Sequence, residues 1–372
     1  MRTAEFDFQF PEGLIAYEPS LRGESRMMVV DRESGGASSR AVASAPVYTT
    51  TGNLIDFLEP GDALVLNDTR VLKARLIGEN AGGHRVEALL LGPAYGFGGE
   101  GAPGADAPGY QLENRPMRWE AMVKPAKRFK VGDRLTFSPR LVATVMAVSE
   151  SGTRLLDFNL PAADFHAELE VAGKIPLPPY IKRAAEERDA QAYQSVFAAK
   201  PGSVAAPTAS LHLSEAMLAA IQAKGVGIHK VTLHVGAGTF RPVQSEDLAD
   251  HPMHSESFEL TEATASALNA VRARGGRIWA VGTTAARVLE TQAQGEGPQP
   301  FVPGRGETRI FIYPGYVWKG VDGLLTNFHW PKSTLFMLVC SLLGTERAKG
   351  LYAEAFAAGF RLFSYGDAML IR

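Results

Sequence analysis

The sequence predicts an α/β protein: a layered α/β domain with a largely parallel sheet, plus an inserted small β-barrel domain. Three observations predict it. Short strands follow one another from Leu64 to about Leu160 without helical periodicity. After Leu160, helices and strands alternate. The chain of 372 residues also exceeds the usual size of a single hydrophobic core. The expected division is residues 1–63 and 161–372 for a discontinuous α/β domain and 64–160 for the barrel.

The first segment, "FDFQFPEGLIAYEP", has acids and a proline where a signal peptide needs an unbroken apolar core. The longest apolar run, Leu335 to Leu343, is about half a membrane span. A cytosolic protein without a membrane anchor is therefore expected. The barrel follows as "ALVL", "RVEALLL", "RWEAMV", "DRLTF", "LVATVMAV" and "RLLDFNL", separated by Gly, Pro and Asp turns. "GPAYGFGGEGAPGADAPGY", residues 92–110, interrupts it; this Gly/Pro/Ala tract buries too little surface to order itself and is expected to be a disordered hairpin loop.

The proline-stiffened "IPLPPYI" leads into the alternating part. Helices are predicted at Ser214–Lys224, Thr261–Arg274, from Thr284 and from Pro331, with strands at Ile228–Val235, Arg277–Val281, and near Ile310 and Leu324. Cys340 is the only cysteine, so an internal disulfide and a multi-cysteine zinc site are both ruled out. Its apolar neighbours predict a buried small hydrophobe.

"VTLHVGAGTFRPV" has the look of a nucleotide-cradling loop. The dinucleotide fingerprint needs a third small residue and an ensuing helix, but here Arg241 and Pro242 follow. The run is not a pyrophosphate cradle, and no phosphate loop of the G-x-x-x-x-G-K type occurs elsewhere. Gly236 and Gly238 still permit a close backbone approach to a ligand, or merely a turn.

"LHVGAGTF", "AVGTTAAR" and "LLTNFHWPKST" each run from a predicted strand into small polar residues. In open α/β sheets the C-terminal strand ends line the ligand crevice, so His234, Thr283, Thr284, Arg287, Asn327 and His329 are candidate site residues. Thr283 or Thr284 is expected to cap the next helix, whose N-terminus suits a carboxylate. Pro331 suits a first helical turn. His212, His234, His251, His254 and His329 are five of the eight histidines. "HPMHSE" raises a metal site with Glu256, but it lacks the H-E-x-x-H spacing and Pro252 separates the histidines, so acid–base or orienting histidines fit better and no metal is expected.

Taken together, "GDALVLNDTRVLKARL", "IPLPPYI", "VFAAKPGSVAAPTASLHLS", "VTLHVGAGTFRPV", "HPMHSE", "AVGTTAARVLE", "IFIYPGYVWKGVDGLLTNFHWPKSTL" and "FSYGDAMLI" resemble the S-adenosylmethionine:tRNA ribosyltransferase-isomerase family of queuosine biosynthesis. The ordered set spans nearly the whole chain; the main departure is the insertion at 92–110. The resemblance implies an enzyme that moves the ribosyl part of S-adenosylmethionine onto 7-aminomethyl-7-deazaguanine at the tRNA wobble position. The ribose is isomerised, giving epoxyqueuosine, and adenine and methionine leave. S-adenosylmethionine is then the ribosyl donor and precursor tRNA the partner, with no redox cofactor.

A sulfonium activates the neighbouring C–H bond, so one group must take a 5′ proton and another must protonate departing adenine. His234, His212, His254 and His329 form the pool for these roles, and Asp68 is expected to orient a ribose hydroxyl or the substrate amine. Arg70 is a candidate partner of a carboxylate or phosphate. Thr283, Thr284 and Arg287 are candidates for the methionyl carboxylate, while Gly236, Gly238, Thr239, Asn327, Ser333 and Thr334 are candidate contacts to substrate. For tRNA, "VKPAKRFKVGDR" gathers Lys124, Lys127, Arg128, Lys130 and Arg134 around Phe129, and "YIKR" adds Lys182 and Arg183. The net charge of −2 leaves this open, since RNA binding needs only a local basic surface. Tyr313, Tyr316 and Trp318 are candidates to stack unpaired bases. A monomer is expected. Two rivals stand beside this reading: a nucleoside hydrolase or transferase acting on a free small molecule, and a non-catalytic RNA-binding protein.

Overall fold

The computed structural model describes residues 1–32, 45–94, 116–150, 152–236, 243–295, 297 and 299–372. The chain divides into two compact units. One is Met1–Thr69, Gln194–Lys200 and Ala206–Arg372; the other is Arg70–Tyr193 with Pro201–Ala205.

The first unit is built on a nine-stranded sheet in the order Gly304–Thr308, Glu256–Leu260, Gly227–Leu233, Ala63–Asn67, Ile278–Val281, Gly323–Asn327, Ala368–Ile371, Arg26–Val30, Val47–Thr50. The four strands from Gly227–Leu233 to Gly323–Asn327 are parallel. Arg26–Val30 also runs parallel to Ala368–Ile371, and the remaining neighbours are antiparallel, so the sheet is mixed with a parallel centre. Every residue of Ala63–Asn67, Ile278–Val281 and Gly323–Asn327 is buried. Continuous apolar runs of this kind suit strands covered on both faces. Met27, Leu64, Leu66, Trp279, Val281, Leu325 and Leu370 share one core cluster. Gly323 is required by that packing, because a Cβ there would lie 2.2 Å from the Trp279 ring.

Ser214 caps helix Glu215–Ala223 by accepting from Met217 N at 3.2 Å, and Thr261 caps Glu262–Ala273 by accepting from Thr264 N at 3.3 Å. The parallel centre brings the C-terminal ends of its strands to one edge of the sheet, where the chain continues as Asp68, His234, Gly282 and Phe328.

The second unit is a closed six-stranded barrel, ordered Arg154–Pro161, Pro116–Lys124, Arg85–Pro93, Arg75–Asn80, Arg134–Thr136, Val142–Val148. Its strands alternate: Val86, Ala88 and Leu90 are buried, and so are Ala143 and Val145, between more exposed neighbours. Helix Ala162–Ala172 sets Phe165 against Trp119 and Phe158, with ring centroids 5.7 and 4.7 Å away.

Several elements differ from the sequence reading. Leu64–Leu66 belongs to the nine-stranded sheet rather than the barrel, whose first strand is Arg75–Asn80. The unbroken apolar run there marks a two-face-buried strand, whereas the barrel strands alternate. The helix expected from Thr284 starts at Gly282, whose φ of 85° is a conformation glycine adopts without strain. The helix expected from Pro331 starts at Thr334, with Ser333 as its N-cap. The strand sought near Ile310 is Gly304–Thr308. Of the loop expected at 92–110, residues 95–110 lie outside the described residues. Among the described residues, no helix is long and apolar enough to cross a membrane.

Candidate active site

Beyond the strand ends lies a cavity of about 40 Å³, lined among others by Thr208, Thr283, Thr284, Thr326, Asn327 and His329. That is room for a few waters or a carboxylate-sized head group, not for a whole nucleoside.

Asn327 is the hub. Its Oδ1 accepts from Thr208 Oγ1 at 3.0 Å, and its Nδ2 donates to the Phe363 carbonyl at 3.1 Å and faces His212 Nε2 at 3.2 Å. An amide nitrogen only donates, so the Nε2 of His212 accepts. Burial, reinforced by the positive charges of Arg361 and Arg22, lowers the His212 pKa to about 4. His329 Nε2 lies 2.8 Å from Thr326 Oγ1, and burial lowers its pKa to about 3. Both rings are therefore neutral near pH 7.

One strand further along, three consecutive residues meet three others. Val231 pairs with Asn67 at the end of the backbone ladder. Past it, Asn67 takes over with its side chain: Nδ2 donates to Leu233 O at 2.9 Å and Oδ1 accepts from Leu233 N at 3.0 Å. Asp68 Oδ1 accepts from Thr232 Oγ1 at 2.7 Å. Thr69 Oγ1 lies 2.7 Å from His234 Nδ1. This lock fixes the His234 ring. Burial lowers its pKa, Asp68 and Glu259 draw it back up, and Lys200 lowers it.

Helix Gly282–Gln292 points its N-terminus at the cavity. Neither threonine caps it, contrary to expectation: the N-cap is Val281, without a side-chain cap bond, and Thr283 and Thr284 sit inside the first turn. Thr284 Oγ1 is buried with no hydrogen-bond partner among the described residues. An uncapped helix start leaves N–H groups available to an anion. Arg287, one turn on, is engaged: its Nη1 donates to Glu256 Oε2, and Glu256 Oε1 accepts from Gly236 N at 2.9 Å. Arg287 thus ties the helix to the glycine turn through Nη1, while its buried Nη2 has no hydrogen-bond partner among the described residues.

The other candidates divide. Ser333 is occupied as a cap, accepting from Phe336 N at 3.2 Å and donating to Trp330 O at 2.7 Å. Thr334 opens the helix, and its neighbour Leu335 is the residue that lines the cavity. His254 is exposed. The His251 ring packs against Phe311, and the "HPMHSE" run leads into strand Glu256–Leu260, where Glu256 is committed to Arg287. No group of three or more potential ligands able to hold a metal occurs among the described residues. Gly238 and Thr239 lie outside the described residues.

Arg70, in the barrel unit, is 51% exposed and lies 3.9 Å from Glu170. Lys124, Lys127, Arg128, Lys130, Arg134 and Lys182 are all exposed. Arg183 instead grips buried Asp189 with two bonds of 2.6 and 2.8 Å, and Phe129 is 1% exposed and belongs to the barrel core. Tyr316 and Trp318 are fixed by their polar tips, to Glu290 at 2.9 Å and Ser341 at 3.0 Å. Tyr313 packs against Phe311. Cys340 is buried, which pushes its thiol up to about 12.

The sequence profile of the "Queuosine biosynthesis protein" family matches residues 3–371. The chain belongs to that family. It is 47% identical over 373 residues to the S-adenosylmethionine:tRNA ribosyltransferase-isomerase of Gloeobacter violaceus, covering 99% of this chain and 95% of the relative. The enzyme of the same name from Methylobacterium radiotolerans is 46% identical, with 100% and 98% covered. The crystal structure of S-adenosylmethionine tRNA ribosyltransferase from Thermotoga maritima matches with a TM-score of 0.52 and 31% identity, covering 99% of this chain and 100% of that one.

For this queuosine-family chain, sequence reasoning missed Asn67, Thr69, Thr208, Thr326 and the tie made by Glu256. A signal existed for the first two: "NDT" directly follows a fully apolar strand, the same logic that singled out "GTT" and "TNFH".

Proposed function

We propose that this protein transfers and isomerises the ribosyl moiety of S-adenosylmethionine onto 7-aminomethyl-7-deazaguanine at the tRNA wobble position, giving epoxyqueuosine-tRNA and releasing adenine and methionine. Membership of the queuosine family supports the pathway, and the shared name of the relatives supports S-adenosylmethionine and tRNA as substrates. The observation that carries the reading is the meeting of Thr283, Thr284, Asn327 and His329 in one small cavity, with His212 bound to Asn327. In this reading the cavity takes only the methionyl head group of the donor, its carboxylate facing the uncapped helix start at Thr283 and Thr284. The nucleoside extends outside it. His212 and His329, being neutral, orient by hydrogen bonding. Asp68, in the strand-end lock, supplies negative charge beside His234.

The exposed cations Lys124, Lys127, Arg128, Lys130 and Lys182 would neutralise tRNA phosphates. A cytosolic, monomeric enzyme is part of the same proposal. The test is direct. Incubate the protein with S-adenosylmethionine and tRNA carrying the precursor base, digest the RNA and weigh the nucleosides. Epoxyqueuosine, with adenine and methionine released only when the precursor tRNA is present, is the expected outcome. Adenine release without tRNA would favour a small-molecule hydrolase, and methylated or unchanged tRNA would refute the reaction.

A further inference from the structure

We propose that Thr69 is the positioning residue that makes His234 the base for the 5′ proton, by holding Nδ1 and leaving Nε2 to the substrate. The inference rests on the reaction proposed above and narrows it to one atom.

Among the four candidate histidines, the Nε2 atoms of His212 and His329 already face Asn327 and Thr326. His254 is exposed. His234 alone combines partial burial, a carboxylate neighbour in Asp68 and an Nε2 without a hydrogen-bond partner among the described residues. The next residue, Val235, lines the cavity.

Thr69 is itself held on several sides. It is fully buried, and its N–H donates to Asn67 Oδ1 at 3.2 Å, the oxygen that also accepts from Leu233. Its hydroxyl therefore meets the ring at a set position. With Nδ1–H donating to Thr69 Oγ1, the lone pair resides on Nε2. As the C5′–H bond breaks, its electron pair stays on the carbon beside the sulfonium as an ylide, and the proton bonds to Nε2. The imidazolium keeps the same Nδ1–H bond to Thr69, so no hydroxyl has to turn during the step. The charged groups facing the ring are Asp68, Glu259 and Lys200, the last two paired with each other. Of these, Asp68 acts most strongly on the ring and compensates the new positive charge.

The test compares Thr69→Val, which keeps shape and loses the oxygen, with Thr69→Ser, which keeps the oxygen. With precursor tRNA and S-adenosylmethionine, T69V is expected to lose about ten- to hundredfold in kcat with KM for the donor within about twofold, and T69S to stay within about threefold of wild type. The acidic limb of the T69V pH–rate profile, where the base takes up its proton, should shift, while that of T69S should not. Nitrogen-15 spectra of histidine-labelled protein should put the single proton of neutral His234 on Nδ1 in wild type and T69S and divide it between the two tautomers in T69V. A T69V enzyme with wild-type kcat and profile, or a wild-type His234 protonated on Nε2, overturns the proposal. Should T69V fail to fold, the wild-type spectrum decides. If the wild-type protein forms no epoxyqueuosine, the reaction itself is wrong and the base assignment goes with it; the spectrum still reports the tautomer separately.

Discussion

Arg287 and Glu256 form an ion pair from which water is nearly excluded, with side chains 9% and 4% exposed. The carboxylate's other oxygen holds the Gly236 amide. Removing one partner leaves an uncompensated buried charge, so Glu256→Ala and Arg287→Ala should each destabilise the fold by about 3–5 kcal/mol. The double change Glu256→Ala with Arg287→Ala should cost less than the sum of the two single changes. Denaturant midpoints measure this, and additive losses would contradict the coupling.

Acid should expose the two buried imidazoles. His212 and His329 stay neutral in the fold, with pKa values of about 4 and about 3, whereas an unfolded histidine takes its proton near 6.5. Below pH 6.5 the unfolded chain therefore binds more protons. Stability is whole above that value and declines as pH falls toward 4, by up to about 1.4 kcal/mol per pH unit for each ring. Urea midpoints of wild type and His329→Gln at pH 8 and pH 5 should show a smaller drop for the variant.

Asn327 serves three partners at once, and Asn327→Asp replaces its two-hydrogen donor with an acceptor facing the Phe363 carbonyl and His212 Nε2. A loss of about 1–3 kcal/mol is expected from the unmade bonds. Donor binding, followed by calorimetry with S-adenosylmethionine, should weaken in step. Unchanged affinity would remove Asn327 from the site.

Two kinds of basic residue in the barrel unit should behave differently. Replacing Lys124, Lys127, Arg128 and Lys130 with Ala should raise KM for tRNA and flatten its salt dependence, by roughly 0.7–0.9 in log–log slope for each phosphate no longer neutralised. Arg183→Ala should instead lower stability, since it strands Asp189, which is 1% exposed. Salt titrations of binding and thermal melts separate the two.

The legible parts of the sequence are those with a local cause. Ser214 and Thr261 announce their helices because capping is a short-range bond. The barrel announces itself because alternation within a strand needs no knowledge of its neighbours. Leu64–Leu66 reads as a barrel strand because the sequence distance to the strands it joins hides which sheet it enters. The site divides the same way. Asn327 and the Thr283–Thr284 pair stand out by residue type at strand ends, and His212 as one of the histidines. Arg287 and Arg183 look like free cations in sequence, and only the fold brings Glu256 and Asp189 against them. Thr69 goes unnoticed because a lone threonine has no chemistry of its own until a ring nitrogen sits 2.7 Å away.

Bonds of the strand-end lock and of the Asn327 hub join residues as far as 166 and 119 positions apart in the chain. Closures that long come late in folding and set a slow pace. Enzymatic activity should therefore emerge in refolding only with the slowest phase, after secondary structure is regained. A nick that lets the two sides of the sheet drift should abolish turnover all at once rather than by degrees.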